Sequence, residues 1–218
     1  MQLEFPLVDD APSAAKAPGT LRPGGRTART REAVLRAVID ELSDNGYAGA
    51  TVERVAERAD VAKTTIYRRW GSIDGLLADF MADRAARDIP VPDEGGLDAD
   101  LNALARDVVA SLSHPAVRAA LGAMVTEATA DPAARAVLSR FLGSRVAAMA
   151  VIVDRAVARG ELPPGTDAAG VIGTVTAVIY YRLYILGDEA TQAVAESAAA
   201  TAVAAARAGV HSRRPERS

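Results

Sequence analysis

The chain is 218 residues long, half of them apolar but only 4% aromatic, with a formal net charge of −3 and no cysteine. That length holds one good core or a small domain beside a larger one, while the missing thiols exclude disulfides and thiolate metal sites and point to a reducing, cytoplasmic setting. His114 and His211 are too few for an imidazole-rich metal site, and so small a net charge leaves nucleic-acid binding, if present, to local placement of cations.

Residues 1–25 are rich in Pro, Ala and Gly and carry Glu4, Asp9 and Asp10. They lack the basic start and apolar centre of a secretory signal and read as a disordered arm. Val34, Leu35, Val38, Ile39 and Leu42 then recur at helical spacing, with Thr30 placed as N-cap and Asn45-Gly46 as the stop. Thr51 caps a second helix with Val52, Val55, Ala56 and Ala59 on its apolar face. Asp60 marks a turn, and a third helix runs from about Lys63 to Trp70. Gly71-Ser72 close it and open a fourth, through Leu76, Leu77, Phe80 and Met81, that stops before Pro90. The polar stretch Pro90 to Gly96 reads as a linker. Helices follow over Ala99 to Leu112, Pro115 to Ala130, Asp131-Pro132 to about Arg159, Asp167 to Leu186, and Glu189 to Ala208.

No segment alternates with period two, so the fold is expected to be all-α. An N-terminal three-helix domain with a helix-turn-helix (26–71) and a connecting helix (72–89) precede a helical ligand-binding and dimerisation domain (90–208) and a disordered tail (209–218). The most apolar run, Ala168 to Tyr181, falls short of the ~18–20 residues of a membrane span, and no membrane partner is expected.

Thr51 to Trp70 is the informative stretch. Two short helices joined tightly need a small residue at their crossing (Ala56), a turn residue that tolerates a left-handed backbone (Asp60) and a later apolar seal (Ile66). From Val61 to Gly71 the only charges are Lys63, Arg68 and Arg69. Lys63, Thr64 and Thr65 sit at the end of the second helix that meets base edges, and Tyr67, Arg68 and Arg69 one turn on, within reach of phosphates. Arg26, Arg29 and Arg31 form a basic cluster ahead of the first helix, either a DNA-contacting arm or a solubilising one.

The segment TVERVAERADVAKTTIYRRWGSIDGLL, Thr51 to Leu77, resembles the N-terminal domain of the TetR family of bacterial regulators, and TTIYRRW its recognition helix. The resemblance is strong from Thr30 to Phe80; beyond that only the all-helical plan is shared. It implies an Ω-shaped homodimer with two recognition helices in successive major grooves of a pseudo-palindromic operator, released when a small molecule enters the C-terminal domain. By position it makes Thr51 a backbone-contacting cap, turns Lys63, Thr64 and Thr65 toward bases, and sets Tyr67, Arg68 and Arg69 on phosphates or bases. Three positions depart from the pattern: Asp60 replaces a frequent Gly, Ala62 a capping Ser, and Ile73 a Lys that meets phosphate.

The last two helices are apolar nearly all round, which demands burial on every side. Val171, Val175, Val178 and Arg182 on one, with Ala195, Ala199, Ala202 and Ala206 on the other, fit either a two-fold four-helix subunit interface or a wholly internal pair. Arg145 interrupts the apolar line Leu138, Phe141, Leu142, Met149 and Ile152, and Glu127 lies near Ala120, Met124 and Ala128. Either the two form a structural pair or snorkel to solvent, or they orient a ligand in a pocket of Met124, Met149, Tyr180 and Tyr184.

Catalysis is not expected. Paired Glu-x-x-His motifs, a P-loop, a dinucleotide fingerprint and a nucleophile elbow are all missing, and no cofactor or metal is implied. A DNA-binding repressor answering to a small molecule is therefore the leading expectation. An activator or a ligand-independent DNA-binding factor of the same fold is the alternative.

Overall fold

A computed structural model of the chain describes residues 25–212, and among these helix is the only extended regular structure. The Ala-rich, aromatic-poor composition favours this outcome, because Ala has the highest helix propensity and β-branched runs are scarce. Nine α-helices form among the described residues: α1 (Arg26–Gly49), α2 (Val52–Arg58), α3 (Lys63–Trp70), α4 (Ile73–Asp88), α5 (Leu97–Ser113), α6 (Pro115–Ala130), α7 (Pro132–Ala158), α8 (Ala168–Tyr180) and α9 (Gln192–Arg207). Residues 1–24 and 213–218 lie outside the described residues, and with them most of the expected arm, part of the expected tail and the Arg26 side chain.

α1 starts earlier than its sequence suggests. Gly25 supplies the first carbonyl, accepting from the amides of Ala28 and Arg29, so Thr30 falls inside the helix rather than at its cap. Nothing from Arg26 to Thr30 breaks a helix, and propensity carries the turn back to the glycine. The chain departs from helical geometry at Gly46 (φ 64°, ψ 178°), the expected stop. Val34, Leu35, Val38 and Leu42 bury the inner face of α1 against α2, α4 and α6.

α5 to α9 form the larger bundle. α9 packs against α5 and α8 through Ala195, Ala198, Ala199, Ala202 and Ala206, all buried, where missing side chains let the helix axes approach. This corrects one expectation. Val171, Val175, Ala195, Ala199, Ala202 and Ala206 face this chain's own core, so the pair is internal along that seam. Val178 is half-buried, and Arg182 is held by Asp188 at 2.6 Å. The apolarity of both helices is spent inside one chain, and the faces left over are α9's Ala193, Ala200 and Ala204 and α8's Ala177.

α8 also ends differently. Its last turn widens into a π-helical segment, Tyr181–Ile185, which extends the apolar run and leaves Tyr181, Ile185 and Leu186 exposed. Two helical segments, Pro132–Ala158 and Ala168–Ile185, are then long and apolar enough to cross a membrane by length and composition alone. Both pack here against other helices of the bundle, α7 on α6 and α8 and α8 on α9.

The ends of the bundle are tied by contacts distant in sequence. Leu97, first residue of α5, donates its amide to Glu161 at 2.7 Å, so a carboxylate beyond α7 satisfies an orphan N–H that Gly96 cannot. The Pro90 to Gly96 stretch is held too: the Glu94 backbone amide donates to the buried Asp100 carboxylate at 2.6 Å, and Arg155 to the Pro92 carbonyl at 2.9 Å. The start of the supposed disordered tail is also fixed. His211 accepts from the Asp167 amide at 2.7 Å, its ring lies 3.1 Å from the Thr174 hydroxyl, and Ser212 bridges to Thr166.

Candidate nucleic-acid interface and effector cavity

The helix-turn-helix forms around the residues that its spacing singled out. Thr51 caps α2 by accepting from the Arg54 amide, and Val55, Ala56 and Ile66 are buried at the crossing with α3. Asp60 turns the chain with φ 52°, the one non-glycine residue at positive φ among those described. Asp tolerates this left-handed geometry better than most residues, which is why glycine can be dispensed with. Ala62 occupies the N-cap of α3 without a side-chain hydrogen bond, and Ile73 packs against the core.

α3 presents Lys63, Thr64, Tyr67, Arg68 and Arg69 to solvent, with Thr65 half-buried. No carboxylate of the described residues pairs with Lys63 or Arg68. Arg69 lies over the Trp70 ring, 4.9 Å from its centroid. Tyr67 donates its hydroxyl to Glu53 of α2 at 3.2 Å, a bond that raises its pKa. The acid-free run in α3 gave no sign of this neighbour, because Glu53 reaches it from another helix.

Other cations near the surface are already engaged. Glu41, 2% exposed, takes Arg54 at 3.3 Å and Arg58 at 3.0 Å, and Asp44 takes Arg58 at 2.8 Å. These pairs fasten α2 to α1, while Lys63 and Arg68 of α3 carry positive charge with no ion-pair partner among the described residues. Arg29 is exposed in the first turn of α1.

Arg31 is not part of a basic arm. It binds Asp79 of α4 through two nitrogens, at 2.9 and 2.7 Å, and Asp83 at 2.8 Å, while the Trp70 indole donates to the same Asp79 at 2.8 Å. One carboxylate thereby joins α1, α3 and α4. Burial pushes the Asp79 carboxyl up, but the hydrogen bonds from Arg31 and Trp70 outweigh it and hold its pKa below the ordinary carboxylate value. The signal in sequence was Asp79 and Asp83, four apart and so on one face of α4. Gly75 completes the joint: a Cβ there would lie 2.0 Å from the Trp70 carbonyl oxygen, so only glycine lets α4 begin against the end of α3.

α4 also forms one wall of a cavity of about 300 Å³ inside the larger bundle. Met81, Arg84, Ala85 and Ile89 line it from α4 and the residue after it; Leu104, Val108, Ser111 and Leu112 from α5; Phe141, Arg145 and Met149 from α7; Ile172, Thr176 and Tyr180 from α8. Arg145, Met149 and Tyr180 were anticipated from sequence, whereas Met124, Glu127 and Tyr184 lie outside the lining. Met124 is a core side chain, and Tyr184 donates to the Arg118 carbonyl at 3.0 Å. Arg145 does not pair with Glu127; it donates to the Ile89 carbonyl at 3.0 Å. The α4 and α5 walls went unread because their apolar faces are indistinguishable in sequence from any buried helix face.

Comparison with known proteins gives a consistent picture. A family model described as "Bacterial regulatory proteins, tetR family" matches residues 34–80, and one described as "Tetracyclin repressor-like, C-terminal domain" matches 91–202. The uncharacterized HTH-type transcriptional regulator YdeS of Bacillus subtilis is 29% identical over 163 residues, 73% of this chain and 81% of its own length. The HTH-type transcriptional regulator AqdR of Rhodococcus erythropolis is 29% identical over 164 residues, 75% and 79% of the two chains. Among solved structures, the TetR family transcription regulator SCO0332 superposes with a TM-score of 0.68 at 25% identity, over 81% of this chain and 97% of that one. FadR of Bacillus subtilis in complex with stearoyl-CoA shares the fold, with a TM-score of 0.61 at 16% identity over 79% and 97%.

Proposed function

The chain belongs to the TetR family of bacterial regulatory proteins, and from that premise we propose that it is a cytoplasmic homodimeric repressor that leaves a pseudo-palindromic operator when a small molecule occupies the cavity. Its relatives are DNA-binding transcriptional regulators rather than enzymes, and so is this chain. The observation that carries the reading is the open end of α3, where Lys63, Thr64 and Arg68 stand exposed with no described carboxylate paired to either cation. On this reading Lys63, Thr64 and Thr65 face base edges, Thr51, Tyr67, Arg68 and Arg69 hold the backbone, and Arg26 and Arg29 add charge at the flank.

Release follows from the double use of α4. Met81, Arg84 and Ala85 face the cavity, and Asp79 and Asp83 of the same helix grip α1 and α3. An occupant that displaces α4 shifts the reading helix with it, provided that it binds the displaced state more tightly. The dimer face proposed is drawn from the exposed apolar residues of the C-terminal helices, Tyr181 and Ile185 of the π-helical segment and Ala200 and Ala204 of α9.

Selection of bound duplexes from a random pool tests the reading. A two-fold symmetric site is expected, and a salt titration on it should show Lys63→Ala and Arg68→Ala each losing about 1–3 kcal/mol of binding. A site without symmetry, or unchanged affinity in both variants, overturns it.

A further inference from the structure

We propose that the cavity receives an amphipathic monocarboxylate, its carboxylate on Arg145 and the Tyr180 hydroxyl and its apolar body among Leu104, Leu112, Phe141, Met149 and Ile172. The proposal rests on the effector reading above and specifies the chemistry of that effector. At about 300 Å³ the space is at the small end for ligand sites, which run from about 300 to 1,000 Å³. Its walls are almost entirely apolar, so whatever fills it must be apolar over most of its length.

The polar groups then decide the head. Two guanidinium groups line the cavity and no carboxylate does. Arg84 is neutralised by Asp88 at 2.6 Å. Arg145 is not: its hydrogen bond goes to the neutral Ile89 carbonyl, and no ion pair forms with it among the described residues. A guanidinium has five N–H donors in a planar fork, so most of its capacity is unused. Burial lowers the pKa of Arg145, as expected for a cation without a compensating acid, yet a guanidinium remains charged at neutral pH.

Tyr180 supplies a second donor. Its ring stacks edge-on against Tyr184 with centroids 6.3 Å apart, and its hydroxyl is engaged by no described group. Burial pushes its pKa up to about 12, opposed by the nearby Arg145 charge, so it stays a protonated donor. Thr176, by contrast, spends its hydroxyl on the Ile172 and Gly173 carbonyls. The inventory is one uncompensated positive charge, the hydroxyls of Tyr180 and Ser111, and an apolar chamber. An amine is repelled, a neutral amide leaves the charge unpaired, and a dianion brings one charge too many. A single carboxylate matches the planar fork and cancels the charge.

Calorimetry on the full chain at neutral pH, with decanoate, decanamide and decylamine as probes, tests the assignment. Decanoate should bind about 10- to 100-fold more tightly than decanamide, the range of a charge-assisted hydrogen bond, and decylamine should not compete. Arg145→Gln should erase the preference and Arg145→Lys keep part of it; circular dichroism melts confirm that each variant folds. The preference measured on the unaltered chain stands even if a variant does not fold. Equal binding of decanoate and decanamide, no binding of decanoate, or a preference that survives Arg145→Gln overturns the proposal. So does decanoyl-CoA binding more tightly than decanoate, which would place charge recognition outside the cavity. Anisotropy of a labelled operator separates the two readings: decanoate bound without DNA release leaves the ligand class standing and removes the release mechanism. Release by decanamide does the reverse.

Discussion

Ala62 leaves the first amides of the reading helix without a side-chain partner, at an N-cap whose backbone (φ −65°, ψ 133°) suits a capping residue. Ala62→Ser should raise stability by about 0.5–2 kcal/mol, measured as a shift in the urea midpoint. Glu53 acts in the opposite sense to the cations beside it. It holds the Tyr67 hydroxyl and sets a negative charge next to the surface assigned to DNA. Glu53→Gln should therefore tighten operator binding about two- to fivefold at low salt, and less at high salt. At this scale the sequence is readable where a residue acts on its neighbours. Thr51, Asp60, Ser72 and Asp131 do what their types and positions require. It is silent where the partner is remote, as with Glu161 on the Leu97 amide or Arg31 on Asp79, because no local pattern encodes which helix will arrive.

The three-helix joint at Asp79 is the element on which the others depend. Asp79→Asn removes the charge that Arg31 and Trp70 share and should cost about 1–2 kcal/mol. That is less than the ~3–5 kcal/mol of a fully buried pair, since both groups are about a quarter exposed. The pH dependence has a definite sign. The folded-state pKa of Asp79 is depressed, so its contribution is complete above the unfolded value of about 3.9 and is lost as pH falls below it. Between about pH 5 and pH 2.5 the urea midpoint of the unaltered chain should drop further than that of Asp79→Asn. Helix order was legible from caps and periodicity, with α3 and α6 at their expected limits and α1, α5 and α9 displaced by a few residues. The π-helical segment had no counterpart in the pattern of Tyr181 to Ile185, since widening a turn by one residue leaves no compositional mark.

For the whole molecule, the apolar helices at the C-terminus bury one face in the core and leave another exposed. Ala195, Ala199 and Ala202 seal the protomer, and Tyr181, Ile185, Ala200 and Ala204 stay outside. Composition shows that both helices must be covered on all sides but not by what, so the choice of faces needed the structure. Ile185→Glu together with Ala200→Arg should give a monomer in sedimentation experiments with helicity retained, and lose operator binding by an order of magnitude or more; a variant that remains dimeric places the interface elsewhere. A further consequence follows from Gly75. With no side chain between the Trp70 carbonyl and the start of α4, the joint has no play: the reading helix is keyed to α4 as a gear is keyed to its shaft. A keyed joint fixes pitch. In the proposed dimer each α3 turns only together with its α4, so one base pair inserted between operator half-sites, a rotation of about 36°, should be tolerated less well than a wrong base within either of them.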